Sequence, residues 1–241
     1  MDNTFVKDYK IASTQIDHNA SLGILQVLGL NQDNFCEYFK VLGCDGLTMI
    51  PIAKCFFVTT KSKFKILKQP HWLDIVRVTS SIAKRSTARI ECDCSIVDSE
   101  GNLCAYGKQE LCAMDSENRH LRMVDSTLFP SDIVPANSND IEFSKLSFEP
   151  GKNHLVVPVK FSNIDFFGHT NNIEYLKIML DILPADLVNK ITITGCEIHY
   201  LRESKMGDYL DIYYTILDDK IQFIAYKDNE IINKTVVEFL M

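Results

Sequence analysis

The chain has 241 residues, 46% of them hydrophobic and 24% charged, which is the composition of an ordinary globular protein with one large or two smaller domains. Its formal net charge of −7 argues against bulk binding of nucleic acid, which depends on neutralising phosphates. The apolar runs are shorter than the ~20 residues of a membrane span, and residues 1–20 lack the apolar centre of a secretory signal. We therefore expect a cytoplasmic protein that binds neither nucleic acid nor a membrane.

The eight cysteines contain no Cys-x-x-Cys pair. Without an export signal, they predict reduced and mostly buried thiols rather than a disulfide framework. His18, His71, His120 and His154 also lack the partner spacing of a metal site. The sequence therefore predicts no metal.

An extended segment, one helix and four strands are predicted in the first half of the chain. The extended segment covers residues 5–16. Apolar residues favour a helix at 21–42 with a break near 31–34, and Gly43 is a common helix stop. Alternation of polar and apolar residues predicts antiparallel strands at 56–67, 75–84, 87–97 and 103–114.

The second half predicts the same order of elements. A strand at 155–161 precedes a helix at 173–183, which ends at Pro184. Turn residues such as Asp218 and Asp219 separate further strands near 191–202, 209–217, 221–226 and 231–239.

The residues between the two halves have linker composition, with Pro130, Pro135 and many Ser, Asn and Asp residues. We therefore predict an α+β protein with units at 1–128 and 147–241 and a linker at 129–146. Each unit is expected to pack one helix against an antiparallel sheet of four or five strands. The alternative is one large mixed sheet without duplication.

An acid, a glycine and a histidine stand directly before the second predicted helix, in the sequence Asp165-Phe-Phe-Gly-His-Thr-Asn-Asn172. Hydrolysis of a thioester needs a base and donors aimed at the developing oxyanion, and the first N–H groups of a helix suit that second task. We therefore expect the backbone around Gly168, Thr170 and Asn171 to hold a thioester carbonyl. Asp165 and His169 would act beside it.

A family resemblance follows from these residues. The order strand, helix, long antiparallel sheet is that of the hotdog fold, and Asp165-x-x-Gly-His-x-Asn-Asn-x-x-Tyr175 resembles its thioesterase version. The whole chain resembles the acyl-acyl-carrier-protein (acyl-ACP) thioesterases of plants and bacteria, which carry two hotdog domains in tandem. Further stretches in the family's order are Tyr9-Lys-Ile-Ala-Ser13, Lys68-Gln-Pro-His-Trp-Leu-Asp-Ile-Val-Arg-Val-Thr79, Met114-Asp-Ser-Glu-Asn-Arg119 and Tyr200-Leu-Arg-Glu-Ser204.

The resemblance implies that the first domain accommodates the acyl chain and that the second carries the catalytic residues Asp165, His169 and Glu203. Asp165 would be the general base or orient the water, His169 a second acid or base, and Glu203 would orient either one. Two positions differ from the family pattern. Phe167 stands where Asn is common, and Ser204 where Cys is common.

Each candidate also has a structural explanation. Asp165 and the two Asn residues are common in turns and helix caps, a lone histidine is more often structural than catalytic, and Glu203 with Arg202 would form a solvated pair at a strand end. His199 is a reserve candidate because it shares strand parity with Glu203. Ser204 would be a nucleophile only with a base beside it, and a hydroxyl at a strand end is usually solvated.

Positive charge is concentrated in the first half of the chain. One interpretation is a docking surface for an acidic carrier protein, and the other is a charged strand face that prevents unwanted strand pairing. The residues concerned are Lys61, Lys63, Lys65, Arg77, Lys84 and Arg85.

The leading hypothesis is a hydrolase, a monomer or homodimer without cofactor, that releases a fatty acid from an acyl-ACP thioester. A close alternative acts on acyl-coenzyme A. The others are a hotdog dehydratase acting on 3-hydroxyacyl chains and a non-catalytic acyl-binding protein.

Overall fold

The computed structural model describes residues 3–136 and 139–241, and the chain divides into two compact units, Met1–Glu142 and Phe143–Met241. We call them the first and the second unit. Each contains antiparallel strands and a few helices, in agreement with the predicted α+β class.

The first unit begins with a strand and a long helix. Its helices are α1 (Ile24–Val41) and α2 (Gly46–Ala53). Its strands are β1 (Thr4–Lys10), β2 (Cys55–Ile66), β3 (Ile75–Arg85), β4 (Arg89–Asp98), β5 (Leu103–Asp115) and β6 (Leu121–Arg122). The longer strands lie in the order β1-β3-β4-β5-β2, and β6 pairs with β5.

The second unit has the same sequence of elements. Its helices are α3 (Asn172–Asp181) and α4 (Ala185–Val188). Its strands are β7 (Asn153–Pro158), β8 (Thr192–Tyr200), β9 (Tyr209–Ile216), β10 (Lys220–Lys227) and β11 (Glu230–Leu240). They lie in the order β7-β9-β10-β11-β8.

The strand order of the first unit therefore recurs strand for strand in the second. In both, the first strand lies at one end of the order, the second at the other, and the remaining three lie consecutively between them. A long helix joins the first strand to the second in each unit. This confirms the predicted repeat and the predicted tandem hotdog fold.

Helix α1 is unbroken, so the predicted break near 31–34 is wrong. Asn34 is buried, its side-chain amide donates to Ser80 Oγ at 2.8 Å, and Tyr9 Oη donates to Asn34 Oδ1 at 3.4 Å. Because β3 and β1 supply these partners, the Asn34 side chain does not compete for the backbone of its own helix. Gly43, at φ +73°, follows the helix where the sequence predicts its end.

The sequence does not predict helix α2. The helix has only eight residues and contains Pro51, which disfavours a helical interior and hides the signal. Asp45 caps the helix, since its carboxylate accepts from the Thr48 N–H at 3.2 Å and from the Thr48 hydroxyl at 2.6 Å. Met49 of this helix is fully buried, so packing compensates for the proline.

Part of the predicted linker at 129–146 packs in the first unit. Phe129 and Ile133 are buried in one hydrophobic cluster, and the ring of Phe129 lies 5.9 Å from the rings of both Phe39 and Phe57. Polar residues and prolines surround these two side chains in the sequence, which conceals their role. This part of the segment is core rather than linker.

The cysteines confirm the prediction of free thiols. All eight are free thiols outside any disulfide, and all except Cys36 are buried. Burial raises the pKa of Cys44 and of Cys94 to about 12, so these thiols stay protonated near neutral pH. Within residues 3–136 and 139–241, no helix combines the length and apolar character that a membrane span requires.

Candidate active site

The segment before α3 is a tight loop. Ile164 and Thr170 form an isolated antiparallel bridge across it, and Gly168 adopts φ +82° at its turn. A positive φ of this size favours glycine. A Cβ at Gly168 would meet no atom within 4 Å, so the backbone conformation rather than space requires glycine here.

Asp165 organises this loop. Its Oδ1 accepts from the Phe167 N–H at 2.9 Å and from the His169 N–H at 3.3 Å, and its own N–H donates to His169 O at 2.8 Å. These are the bonds of an Asx turn. Oδ2 accepts no hydrogen bond from the part of the chain that the structure describes, so this oxygen is available to a water or a substrate.

His169 and Glu203 lie together. The distance from His169 Nε2 to Glu203 Oε2 is 3.5 Å, and the two side chains are 15% and 37% exposed. His169 comes from the loop before α3 and Glu203 from the segment after β8. A carboxylate beside an imidazole orients the ring and stabilises its protonated form, which is the arrangement of an acid–base pair.

Glu203 does not pair with its neighbour Arg202. Arg202 forms an ion pair with Glu230 at 3.1 Å. The prediction of a solvated Arg202–Glu203 pair is therefore wrong, and Glu203 faces the histidine instead.

The backbone N–H groups expected to donate to a thioester carbonyl already have acceptors within the chain. The Gly168 N–H donates to Asp165 O at 3.0 Å, and the Thr170 N–H donates to Ser204 O at 2.8 Å. Asn171 donates its N–H to Asn163 O at 2.9 Å, and its side chain caps α3 by accepting from the Ile173 N–H at 2.9 Å.

The N–H groups of Gly168, Thr170 and Asn171 thus all have acceptors within the chain, and their binding of a thioester stays a prediction. The acceptors come from the loop itself and from residues distant in sequence. The helix-cap explanation holds for Asn171.

Ser204 is completely buried, so the expectation of a solvated hydroxyl is wrong. Its Oγ lies 2.7 Å from Thr170 Oγ1 and 2.8 Å from Tyr175 Oη, and its N–H donates to Tyr175 Oη at 2.9 Å. We call Thr170, Tyr175 and Ser204 the hydroxyl clamp. Among residues 3–136 and 139–241, every side-chain partner of Ser204 is a hydroxyl, so these contacts do not include the base that a nucleophile needs.

The hydroxyl clamp fixes the acid–base pair through adjacent residues. Thr170 follows His169 in the chain, and Ser204 follows Glu203. The 2.8 Å backbone bond between Thr170 and Ser204 and the three hydroxyls hold the two chain segments together. Burial raises the pKa of Tyr175, which keeps this hydroxyl protonated and able to donate.

His199 forms a different pair. Its Nε2 lies 2.9 Å from Glu197 Oε1, and that oxygen also accepts from the Ser144 N–H at 2.6 Å. The ring of Tyr200 lies 6.1 Å from that of Tyr175 in α3, so Tyr200 faces the helix. Because side chains alternate along a strand, His199 faces away from α3 and from the hydroxyl clamp.

The basic residues of the first unit have local partners. Lys61 lies 3.4 Å from Glu110, Lys84 lies 3.5 Å from Glu91, and Lys63 donates to Glu142 O at 2.8 Å. Arg77 and Arg85 also form ion pairs, with Asp8 and Asp125. The acidic partners lie outside residues 54–89, where the basic residues are concentrated, and offset part of their positive charge. They are Asp8, Glu91, Glu110 and Asp125.

Two residues that support the site have only weak signals in the sequence. Asn163 donates its amide to Glu174 Oε2 at 2.7 Å and accepts from the Lys160 N–H at 2.8 Å, which ties the loop to the first turn of α3. Tyr175 belongs to the motif, but nothing in the spacing indicates that its hydroxyl meets Ser204. Ser204, the partner of Tyr175, is 29 residues distant in sequence.

Two family models match the chain. The model of the acyl-ACP thioesterase N-terminal domain matches residues 2–129, and that of the C-terminal domain matches residues 150–238. The chain belongs to the acyl-ACP thioesterase family. The His169–Glu203 pair lies in the part matched by the C-terminal model of this family.

Curated members of the acyl-ACP thioesterase family are distant relatives. An acyl-[acyl-carrier-protein] hydrolase of Cuphea viscosissima is 21% identical over 224 residues, covering 86% of this chain and 54% of the relative. Oleoyl-acyl carrier protein thioesterase 1 of Arabidopsis thaliana is 18% identical over 235 residues, covering 86% of this chain and 62% of the relative. The chain thus spans 54–62% of the length of these two relatives.

Solved structures share the acyl-ACP thioesterase fold. An acyl-ACP thioesterase from Bacteroides thetaiotaomicron superposes with a TM-score of 0.86 at 17% identity, covering 99% of this chain and 98% of that one. The 12:0-ACP thioesterase from Umbellularia californica gives 0.86 at 17% identity, covering 100% and 98%. At this identity the match establishes the fold of the chain.

Proposed function

We propose that this chain hydrolyses the thioester of an acyl group carried by acyl carrier protein and releases a free fatty acid. The observation that carries the proposal is the His169–Glu203 pair, at 3.5 Å, beside the start of α3 in the second unit. Family membership supports the substrate class.

The reaction adds water across the carbon–sulfur bond. The water oxygen attacks the thioester carbonyl carbon, and His169 takes the proton that the water loses. The tetrahedral intermediate collapses by breaking the carbon–sulfur bond, and the sulfur leaves as a thiolate that takes a proton from the protonated His169. Glu203 stabilises that protonated ring in the interval.

Asp165 has two tasks in this proposal. One carboxylate oxygen builds the loop that presents His169, and the other, Oδ2, orients the attacking water. The substitution Asp165→Asn separates them, because an amide oxygen still accepts the N–H groups of Phe167 and His169 while the negative charge is lost. We expect kcat to fall about a hundredfold with an unchanged fold.

The experiment measures free-thiol release and fatty-acid release from acyl carrier protein and from coenzyme A carrying the same acyl chain. Release of both products in equal amounts, with higher kcat/KM on the carrier substrate, supports the proposal. With substrates that carry a 3-hydroxyacyl chain, loss of water to give an enoyl thioester without free thiol would instead identify a dehydratase. Comparable or higher kcat/KM on the coenzyme A substrate would identify an acyl-coenzyme A thioesterase.

A second candidate is a non-catalytic acyl-binding protein. It is favoured by Phe167, which replaces a common Asn, and by the occupied N–H groups of Gly168 and Thr170. Such a protein would bind acyl thioesters with no turnover above that of Asp165→Asn.

We also propose, from the resemblance, that residues 1–128 accommodate the acyl chain. The core residues of α1 are the natural place to test this. Leu28, which is buried, would become Phe, and the preferred chain length is expected to shorten because the larger ring fills interior space. An unchanged chain-length profile in a folded variant contradicts this assignment.

The basic residues of the first unit remain a proposed docking surface for the carrier protein. Charge reversal at Lys65 and Arg77 is expected to raise KM for the carrier substrate at low salt only, because salt screens exposed charges. A KM that does not respond excludes docking there and favours the explanation of a charged strand face.

A further inference from the structure

Exposed apolar side chains lie on both chain segments that carry the His169–Glu203 pair. On the segment before His169, Phe161 is 83% exposed and Phe166 is 71% exposed. Shortly after Glu203, Met206 is 62% exposed. A cluster of large exposed apolar side chains marks a surface that binds a ligand or a partner. The two chain segments that carry these three side chains are joined by backbone hydrogen bonds.

Backbone hydrogen bonds hold the two segments side by side. The Val159 N–H donates to Asp208 O at 2.8 Å, and the Gly207 N–H donates to Val159 O at 3.1 Å. The Thr170–Ser204 bond joins the same segments again next to the acid–base pair. The two segments therefore run side by side, and we call their exposed residues Lys160, Phe161, Phe166, Lys205 and Met206 the entrance rim.

The entrance rim carries positive charge. Lys160 and Lys205 are both exposed. Lys160 forms no ion pair with the residues that the structure describes, and the Asp208 carboxylate, on which the charge of Lys205 also acts, pairs with Lys227 at 2.9 Å. The rim thus combines apolar side chains with two lysines that can attract an anion.

We propose that the entrance rim binds the phosphopantetheine arm of the carrier-protein substrate. The proposal rests on the proposed function, because the thioester at the end of this arm must reach His169. The apolar pantetheine portion packs on Phe161, Phe166 and Met206, and the phosphate lies between the ammonium groups of Lys160 and Lys205. Lysine is a common phosphate ligand, acting as a point charge.

The test uses the double variant Lys160→Glu/Lys205→Glu and three substrates with the same acyl chain. Acyl carrier protein and acyl-coenzyme A both contain the phosphorylated arm, and an acyl-N-acetylcysteamine thioester lacks the phosphate. The matched control is Lys152→Glu/Lys190→Glu, which changes the same charge at exposed positions of the second unit, before β7 and after α4. Coenzyme A thioester serves as a substrate or as a competing inhibitor.

For the two phosphorylated ligands, we expect the kcat/KM of the rim variant to fall about tenfold, or the inhibition constant to rise about tenfold. The N-acetylcysteamine ester is expected to react at the wild-type rate, and the control variant to resemble wild type throughout. This pattern assigns the phosphate to the rim.

Three results overturn the proposal while leaving the proposed hydrolysis intact. They are an unchanged rim variant, an equal loss on all three substrates, and a loss confined to acyl carrier protein, which would assign the lysines to the carrier's own surface. A wild-type protein that cleaves none of the thioesters contradicts the hydrolysis itself, and the rim proposal falls with it.

Discussion

Ser204 acts in this structure as a positioning residue. It stands where the family commonly has Cys, yet its hydroxyl is fully buried and lies 2.7 Å from the Thr170 hydroxyl and 2.8 Å from the Tyr175 hydroxyl. Since Glu203 precedes it and His169 precedes Thr170, the hydroxyl clamp sets the separation of the acid–base pair. A cysteine at this position has a weaker donor but a similar volume.

We predict that Ser204→Ala lowers kcat at least tenfold with little change in KM, and lowers the free energy of unfolding by about 1–3 kcal/mol, because two buried hydroxyls lose a partner. The pH profile of kcat should also shift, since the pair is displaced. Ser204→Cys should recover part of both losses. Kinetics and urea unfolding check this, and a destabilised Ser204→Ala variant with a normal pH profile would reduce Ser204 to a structural residue.

Gly168 offers a test of backbone strain. Gly168→Ala should lower stability by about 1–2 kcal/mol and slow turnover, since φ +82° is unfavourable for alanine and the loop carries His169. The matched control is Gly29→Ala in α1, where a Cβ also meets no atom within 4 Å. That change should instead raise stability by about 0.5–1 kcal/mol, because alanine favours the helix. Equal effects of the two substitutions would contradict the explanation.

Strand β5 contains a buried carboxylate, that of Glu110, whose pKa is lowered. Burial of Glu110 acts to raise its pKa, but the hydrogen bond from the Thr60 hydroxyl at 2.7 Å and the charges of Arg89 and Lys61 outweigh burial. The pKa of Glu110 in the folded protein is therefore below its ordinary value. The stabilisation that it provides is complete above the unfolded pKa and is lost as the pH falls through the folded pKa.

Glu110→Gln should accordingly lower the free energy of unfolding by about 1–3 kcal/mol at pH 7. The difference from wild type should shrink as the pH falls below the unfolded pKa of a glutamate, about 4.3, and should vanish once the folded carboxyl is protonated and resembles glutamine. Urea unfolding at pH 7 and pH 3.5 measures both values. A difference of the same size at both pH values would show that the charge is not the cause.

The strands could be predicted closely because alternation is a local signal: β2, β3 and β5 lie within one residue of the predicted bounds. Helix α2 has no such signal, since Pro51 interrupts it. The polar residues at 31–34 favour a break in the helix, but α1 continues through them because Asn34 has its partner, Ser80, in strand β3.

The candidate site likewise has features that the sequence predicts and features that depend on the fold. Asp165 and His169 could be selected from the motif and Glu203 from the family resemblance, and the prediction that they act as a catalytic set remains a proposal. The acceptors of the loop N–H groups could not be predicted, because Ser204, the acceptor for Thr170, is 34 residues distant in sequence. Local patterns identify candidate side chains, whereas the hydrogen-bond partners of a loop depend on the fold.

At the scale of the whole molecule, the two units repeat one strand order but differ at the helix start. In the second unit, α3 is preceded by the Asp165 loop and capped by Asn171. In the first, α1 follows Gly23 and has no side-chain cap. We assign the chemistry to the second unit because the Asp165 loop carries His169 of the His169–Glu203 pair.

The most direct test of this assignment is thiol release from acyl carrier protein under multiple turnover by wild type, by His169→Ala and by Glu203→Gln. We predict steady turnover by wild type, a loss of at least a hundredfold in kcat for His169→Ala, and a smaller loss for Glu203→Gln, which keeps a hydrogen-bonding group beside the ring without its charge. A folded His169→Ala protein that releases thiol at the wild-type rate would contradict this assignment.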